Sequence, residues 1–376
     1  MKHINKLKLL ILSTLLLASL VSKAETSASS SLKLCLELVK TKERPVIGSA
    51  HPDTKDILGG FEAGTTVKVT LNGKTAYHMV TSTLEEPGWK QMRTEHWVSE
   101  DGLNWRRHKV LFYPRHNPDT GLWELTGSPF FFFDEKADRW FIYFNYMALN
   151  GVRSWCTPCL LRRAAAKTQG MDGINGDFEF PGEIIAPSGI AHPTDAEASS
   201  ISPPFQAADG KWYAFLGGGP KALNAVSGKW WVTIVKAKGP EGPFVYMPDY
   251  APVHLMKPAG FTENPLVTKM KGPVTGKEYW TVIFDFLKPE VTTGKNSTIG
   301  FSYSEDGLNW PVENAQIIDM AAGLPKGAEP WWRVIRVPHQ LCDEGNVIYT
   351  GFFSAYDREG NYESIGKATF RIKETK

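Results

Sequence analysis

Past its first two dozen residues the chain has no apolar run long enough to span a membrane as a helix. Apolar stripes at helical spacing are missing as well, which argues against a helical bundle. Charge of either sign is not in excess: 42 Lys and Arg stand against 40 Asp and Glu. That balance does not call for nucleic acid or an anionic membrane as partner. No GxSxG, P-loop or GxGxxG occurs in a fitting context, so a serine-hydrolase elbow and the nucleotide cradles are excluded. His51, His78, His96 and His192 fall at no metal-ligand spacing. No metal and no cofactor is expected.

The N-terminus is the exception to the lack of apolar runs. Met1, Lys2, His3, Lys6 and Lys8 make a basic start, Leu9 to Leu20 is apolar, and Ser22 and Ala24 are small residues placed for a cut. Residues 1–24 are expected to be a secretory signal peptide, too short for a membrane span, with cleavage near Ala24. Export to the periplasm or the exterior follows. No cysteine comes directly after the run, so a lipid anchor is not expected. Without residues 1–24 the chain holds 38 basic and 40 acidic residues, so its slight basicity belongs to the leader.

Cysteine is scarce. Four in 376 residues permit at most two disulfides in an exported chain. Cys156 and Cys159 stand in W-C-T-P-C without a flanking βαβ pattern, which disfavours redox work. A local loop staple, or bridges to Cys35 and Cys342, is expected instead.

What the chain does have is aromatic, glycine and proline residues: 13 Trp, 34 Gly and 25 Pro. Short alternating runs rich in β-branched and aromatic residues recur, each closed by a turn signal. Five segments align: GGFEAGTTVKV, ELTGSPFFFFD, SSISPPFQAAD, GFTENPLVTKM and RVIRVPHQLCD. Each is followed by a polar turn and an aromatic strand. With Glu62, Gly127, Ile201, Glu263 and Arg336 as the repeat column, the intervals are 65, 74, 62 and 73 residues. That length suits a four-stranded antiparallel blade with loops. The chain is expected to be an all-β, five-bladed β-propeller over residues 57–376, preceded by a lead-in segment over 25–56. The last strand, IGKATFRIK, would close the ring.

One phrase is written twice. Ser99–Trp105 and Ser304–Trp310 both read SEDGLNW. Asp-Gly between extended segments is a hairpin signal, because Gly accepts positive φ. Ser and Asp side chains hold such turns by bonding nearby backbone N–H groups. Both copies are expected on the rim, between the third and fourth strands of blades one and four.

In a propeller the first strand of every blade lines the central channel, so charges in the repeat column converge on one cavity. A charge at the start of an inner strand costs desolvation unless it is solvated, paired or used. Glu62, Glu263 and Arg336 are therefore the leading candidates. Two carboxylates there repel, which pushes their pKa values apart and suits acid/base work. Trp123 and Glu124 of blade two, and His192, Asp195 and Glu197 of blade three, stand just before the column. Trp331, Trp332 and Arg333 precede the blade-five strand, where aromatic faces suit the apolar edges of sugar rings. The bland reading of each is an ion pair or a packing residue.

At these residues the sequence resembles the five-bladed propeller glycoside hydrolases, families 43, 32, 68 and 117, with the mannoside phosphorylases of family 130. The resemblance rests on the inner strands that start x-x-P, on D-G-K-W-Y and R-W-F-I-Y-F, and on the S-x-D-G-x-x-W turns. It implies three acids at the channel mouth. Glu62 matches the blade-one base or nucleophile, although Glu-Ala-Gly replaces the usual Asp-Pro. Glu263 in E-N-P matches the proton donor. Glu197 or Asp195 would be the supporting acid. The resemblance implies an exported glycosidase acting at the non-reducing end of a plant or algal glycan. Some relatives hold a channel Ca²⁺ or Zn²⁺, but no ligand set here compels one. A phosphorylase, with Arg333 and Arg336 holding phosphate, and a non-catalytic glycan-binding propeller are the alternatives.

Overall fold

A computed structural model describes residues 32–84, 92–149, 160–186, 196–220, 231–247, 255, 261–287 and 296–376. Among them there are strands and short 3-10 turns and no α-helix. The strands group into five antiparallel units in chain order. The first is Gly60–Leu71, Lys74–Leu84, Met92–Ser99 and Arg106–Phe112. The second is Leu122–Asp134, Arg139–Leu149, Leu160–Ala165 and Glu183–Ala186, with a short hairpin strand Arg115–Asn117 beside it. Ala196–Ile201, Trp212–Pro220, Trp231–Ala237 and Val245–Tyr246 form the third, and Phe261–Lys271, Glu278–Leu287, Thr298–Ser304 and Gln316–Asp319 the fourth. The fifth begins with Trp332–Pro338, Ile348–Asp357 and Glu363–Thr375. Its outer strand is Lys33–Thr41, from the lead-in, which pairs antiparallel with Glu363–Thr375. The ends of the described chain are thus hydrogen-bonded to each other.

The apolar runs form strands buried on both faces, because each unit is packed between two others. In Arg139–Leu149, Trp140, Ile142, Phe144 and Tyr146 meet Val69 and Val80 of the first unit, while Phe141 and Tyr143 meet Leu216 and Val235 of the third. The alternation is the period of two that a strand imposes. Phe215 and Phe284 join units three and four, and Phe301 and Phe353 lie in the cluster joining four and five. A fifth cluster joins the last unit to the first through Phe352, Ile365, Phe61, Met79 and Trp97. Each fully buried aromatic contributes ~2–3 kcal/mol of transfer free energy.

Units five and one also touch through backbone. Gly60 pairs in parallel with Glu363, and a Cβ on Gly60 would lie 2.1 Å from the Glu363 carbonyl oxygen. Glycine is required there for close approach and for its φ of 92°.

Each inner strand carries a register shift near its head: Phe61/Gly64, Gly127/Phe130, Ala198/Ser200, Glu263/Leu266 and Ile335/Pro338. Ser128 and Asn264 sit within such bulges at φ of 46° and 49°. Bulges re-aim side chains, and here they set which residues leave the plane of the sheet.

The doubled phrase forms two matching turns at the expected places, after Met92–Ser99 and after Thr298–Ser304. Gly102 N–H donates to Ser99 Oγ at 2.9 Å, and Gly307 N–H to Ser304 Oγ at 2.9 Å. Asp101 Oδ1 accepts from Leu103 and Asn104 N–H at 2.7 and 2.8 Å; Asp306 Oδ1 accepts from Leu308 and Asn309 at 2.8 and 2.8 Å. Trp105 and Trp310 are both buried.

Cys35 and Cys342 are free thiols, and Cys342 is buried with its Sγ 3.3 Å from the Thr66 carbonyl. The expected bridges to them are therefore not formed. Cys156 and Cys159 lie outside the described residues, as does the whole of residues 1–24.

Candidate active site

The heads of three inner strands bring charged side chains together. Glu62 is the third residue of Gly60–Leu71, Glu263 the third of Phe261–Lys271, and Arg336 the fifth of Trp332–Pro338. Arg336 Nη2 lies 3.5 Å from Glu62 Oε1, and Arg336 Nε lies 3.8 Å from Glu363 Oε1. Glu363 is fully buried and Glu62 nearly so. The close parallel contact of Gly60 with Glu363 is what carries the second carboxyl to the first.

Glu263 is directly opposite Asp285 in the fourth unit. Its place in the register differs from that of Glu62. Glu263 occupies the last paired position before the bulge, equivalent to Phe61, Gly127 and Ile335, whereas Glu62 and Arg336 lie inside their bulges. The repeat column of the sequence is thus out of step by one residue between these units. The bulge, not the linear alignment, brings Glu62 and Glu263 to one site.

Four carboxyls share this region with one guanidinium, and the electrostatics follow. Burial and the charge of Glu363 hold the Glu62 carboxyl well above the usual range, with Arg336 pulling the other way. Burial raises Glu363 too, against Arg336, Glu62 and Tyr356. Asp285 is raised well above the usual range by burial and by the charge of Glu263. Glu263 is pushed up to about 7, by burial first, with Arg336 opposing and Glu62 adding. Such a cluster cannot ionise fully beside one cation, so it retains protons near neutrality. Strongly coupled carboxyls titrate as a unit.

The cluster also holds buried polar atoms with no hydrogen-bond partner among the described residues: Glu62 Oε2, both oxygens of Asp285 and both of Glu363. Thr83 Oγ1 and Asn145 Oδ1 are unpartnered as well, and they stand opposite Phe61 and Gly127 as Asp285 stands opposite Glu263. Buried polar groups are almost always satisfied. A run of exceptions at one level of the fold marks a place made for solvent or a polar ligand.

The other expected residues are distributed more widely. Glu124 is buried and bound by Arg115, with Asn117 Nδ2 donating to it at 2.9 Å. Burial works against its charge, but Tyr146, Asn117 and Arg115 hold its carboxyl below the usual range. It is an ion-paired residue, not a free acid. Trp123 is exposed, edge-on to His116. Trp332 is buried, with its ring against Trp331 and Phe353 and its Nε1 donating to Ser297 Oγ at 3.1 Å. Core packing takes up most of the Trp332 ring. Trp331 is partly buried and stacks on Phe353. Arg336 lies between two carboxyls and is not a free cation, whereas Arg333 is exposed. Glu197 lies on the third unit's inner strand opposite Gly219. His192 and Asp195 lie outside the described residues.

Asp285 and Glu363 were not anticipated. Asp285 had a visible signal, an acid inside the apolar run Trp280–Leu287. Glu363 had only its place two residues before the segment IGKATFRIK. Among the described residues no group of three or more His, Cys, Asp or Glu is arranged to hold a metal ion.

No protein-family model matches the chain, and no curated protein sequence matches it. Solved structures do share its fold. A family 117 glycoside hydrolase produced by the marine bacterium Zobellia galactanivorans is 14% identical over 91% of this chain and 90% of that one, with a TM-score of 0.50. A fructofuranosidase from Schwanniomyces occidentalis is 12% identical over 86% of this chain, with a TM-score of 0.55. Fructan 1-exohydrolase IIa from Cichorium intybus is 10% identical over 86% of this chain, with a TM-score of 0.51. This chain spans 58% and 57% of the lengths of the last two. All three are five-bladed propeller glycoside hydrolases, the group that the sequence resembles. At these identities the likeness is one of fold, and function has to be argued from the site.

Proposed function

We propose that this protein is an exported glycoside hydrolase on a closed five-bladed propeller, acting at the end of a plant or algal glycan. The observation that carries the reading is the convergence of Glu62 and Glu263, near the heads of inner strands, and of Asp285 and Glu363, on neighbouring strands, around Arg336. The five units and the cluster joining the last to the first support the ring. The fold is one that glycosidases use.

In this scheme Glu263 is the general acid. A carboxyl pushed up to about 7 still holds a proton near neutral pH and can give it to a leaving sugar oxygen. Glu62 is the base or nucleophile. It works in its ionised form, with Arg336 3.5 Å away to balance the charge. Burial and the charge of Glu62 keep the acid's proton on Glu263 until it is needed. Glu197 or Asp195 would hold the substrate from the third unit.

A second reading is favoured by one contact. The pairing of Glu62 with Arg336 is what a non-catalytic glycan-binding propeller would show. Among the described residues Glu263 has no such ion pair, which favours the enzyme. The test is a screen of the purified mature protein on aryl glycosides and on plant and algal oligosaccharides, with Glu263→Gln alongside. Hydrolysis that Glu263→Gln abolishes supports the proposal. Full activity in that variant removes Glu263 from the acid role, and glycan binding without hydrolysis by the wild type selects the second reading.

A further inference from the structure

We propose that a cavity at the head of the fifth unit is a subsite for an anionic sugar residue, one bearing a uronate carboxylate or a sulfate ester. Its catalytic consequence rests on the glycosidase reading; its binding chemistry does not. The cavity is about 450 Å³, enough for a small ligand group. Ser297, Glu329, Pro330, Trp332, Arg333 and Arg358 line it.

Arg333 is the centre of the argument. It is exposed, and its guanidinium has no ion-pair or hydrogen-bond partner among the described residues. Yet its place is built. A Cβ on Gly360 would come within 2.9 Å of Arg333 Cζ, and Gly360 has a φ of 75°. The guanidinium therefore lies over a residue whose missing side chain makes the room, at a turn that favours glycine.

Arg358 supplies a second cation on the same wall. Its Nε donates to the Pro330 carbonyl at 2.8 Å, and its Nη2 pairs with Glu329 at 3.0 Å. The side chains of that pair are 48% and 78% exposed, so the pairing is weak and readily exchanged. Two guanidiniums against one carboxylate leave a positive charge uncompensated. A neutral sugar would use hydroxyl contacts alone, whereas the planar fork of arginine matches an oxyanion through two parallel N–H bonds.

The position ties the cavity to the carboxyl cluster. Arg333 precedes Arg336 by three residues on Trp332–Pro338. At strand rise that is about 10 Å of backbone, a register shift between Trp332 and Val334 takes Arg333 out of the strand's alternation, and the span is within the length of one oligosaccharide. The substrate class that follows is an acidic glycan, with its charged residue held by Arg333 and its scissile bond at Glu263 and Glu62.

The experiment is calorimetric titration of the full mature chain carrying Glu263→Gln. The probes are a digalacturonide and its methyl ester, and a sulfated galactose disaccharide with its desulfated form. One acidic probe is expected to bind roughly 10- to 100-fold tighter than its neutral match, less so at high salt. The acid that shows the preference identifies the source of the charge. In a chain that also carries Arg333→Gln the ratio falls toward one, and with Arg333→Lys it is only partly kept. The proposal is overturned if neither acid outbinds its neutral match, or if the preference survives Arg333→Gln. Wild-type hydrolysis of the same panel is scored separately. Acid-selective binding without any hydrolysis removes the glycosidase reading and keeps the subsite; hydrolysis without acid selectivity does the reverse.

Discussion

Arg336 and Glu62 are 274 residues apart in the chain and 3.5 Å apart in the structure. The contact joins the fifth unit to the first at the level where their inner strands bulge. Removing the guanidinium leaves Glu62 and Glu363 buried with no cation among the described residues paired to them. Arg336→Met is expected to destabilise the fold by about 3–5 kcal/mol at neutral pH. The loss shrinks in acid, where both carboxyls are protonated and the cation is not needed. Urea unfolding at pH 5 and pH 8 measures the difference; an equal loss at both would show that packing, not charge, is what Arg336 supplies.

If Glu263 is the general acid proposed above, it ties activity and stability to one titration. Its folded pKa of about 7 lies above the ordinary 4.5, so folding favours its protonated form. The corresponding stability is complete below about pH 4.5 and is lost as pH rises through 7. Glu263→Gln removes that loss, so its melting temperature should exceed the wild type's at pH 8 and approach it at pH 5. Activity follows the same proton. The wild-type rate should fall on the alkaline side of about pH 7, and Glu263→Gln should lower kcat by ~10²–10⁴-fold.

Glu363 acts on Glu62 through its charge. The Glu62 carboxyl is raised partly by Glu363, so the isosteric Glu363→Gln lowers it. If Glu62 must be ionised to work, the acid limb of the pH–rate profile moves to lower pH in that variant. A merely structural Glu363 would lower the melting temperature and leave the limb where it was.

The all-β class and the repeat were legible because strands buried on both faces must be apolar along their length, as in RWFIYFNY, and because turns need Gly and Asp. Glu62, Glu263 and Arg336 were legible because a charge at an inner-strand head departs from that pattern. Their true alignment was not. A bulge adds a residue to one strand without any mark in the sequence, so Glu62 seems to match Glu263 when it matches Asn264. Glu363 was hidden for another reason: its place depends on the approach of Gly60, a contact between chain segments three hundred residues apart. The lead-in strand Lys33–Thr41 was hidden likewise, since its partner is at the far end of the chain.

The doubled turn offers a test that leaves the site alone. Asp101 and Asp306 each accept two backbone N–H bonds and one from an Asn side chain. The N–H of Asn104 is the main cause that holds the Asp101 carboxyl well below the usual range; in Asp306 burial opposes the same bonds, which still prevail. A carboxyl whose folded pKa is depressed stabilises above its unfolded pKa near 4, and the effect is lost as pH falls below that value. Asp101→Ala and Asp306→Ala should each cost about 1–2 kcal/mol at pH 7, as the loss of a cap does. The two losses should add, because the turns belong to different units and share no partner. Neither should alter the pH–rate profile. A change in kcat or in its pH limbs on either substitution would mean that the repeated phrase reaches the site after all, which its place at the outer hairpins does not allow.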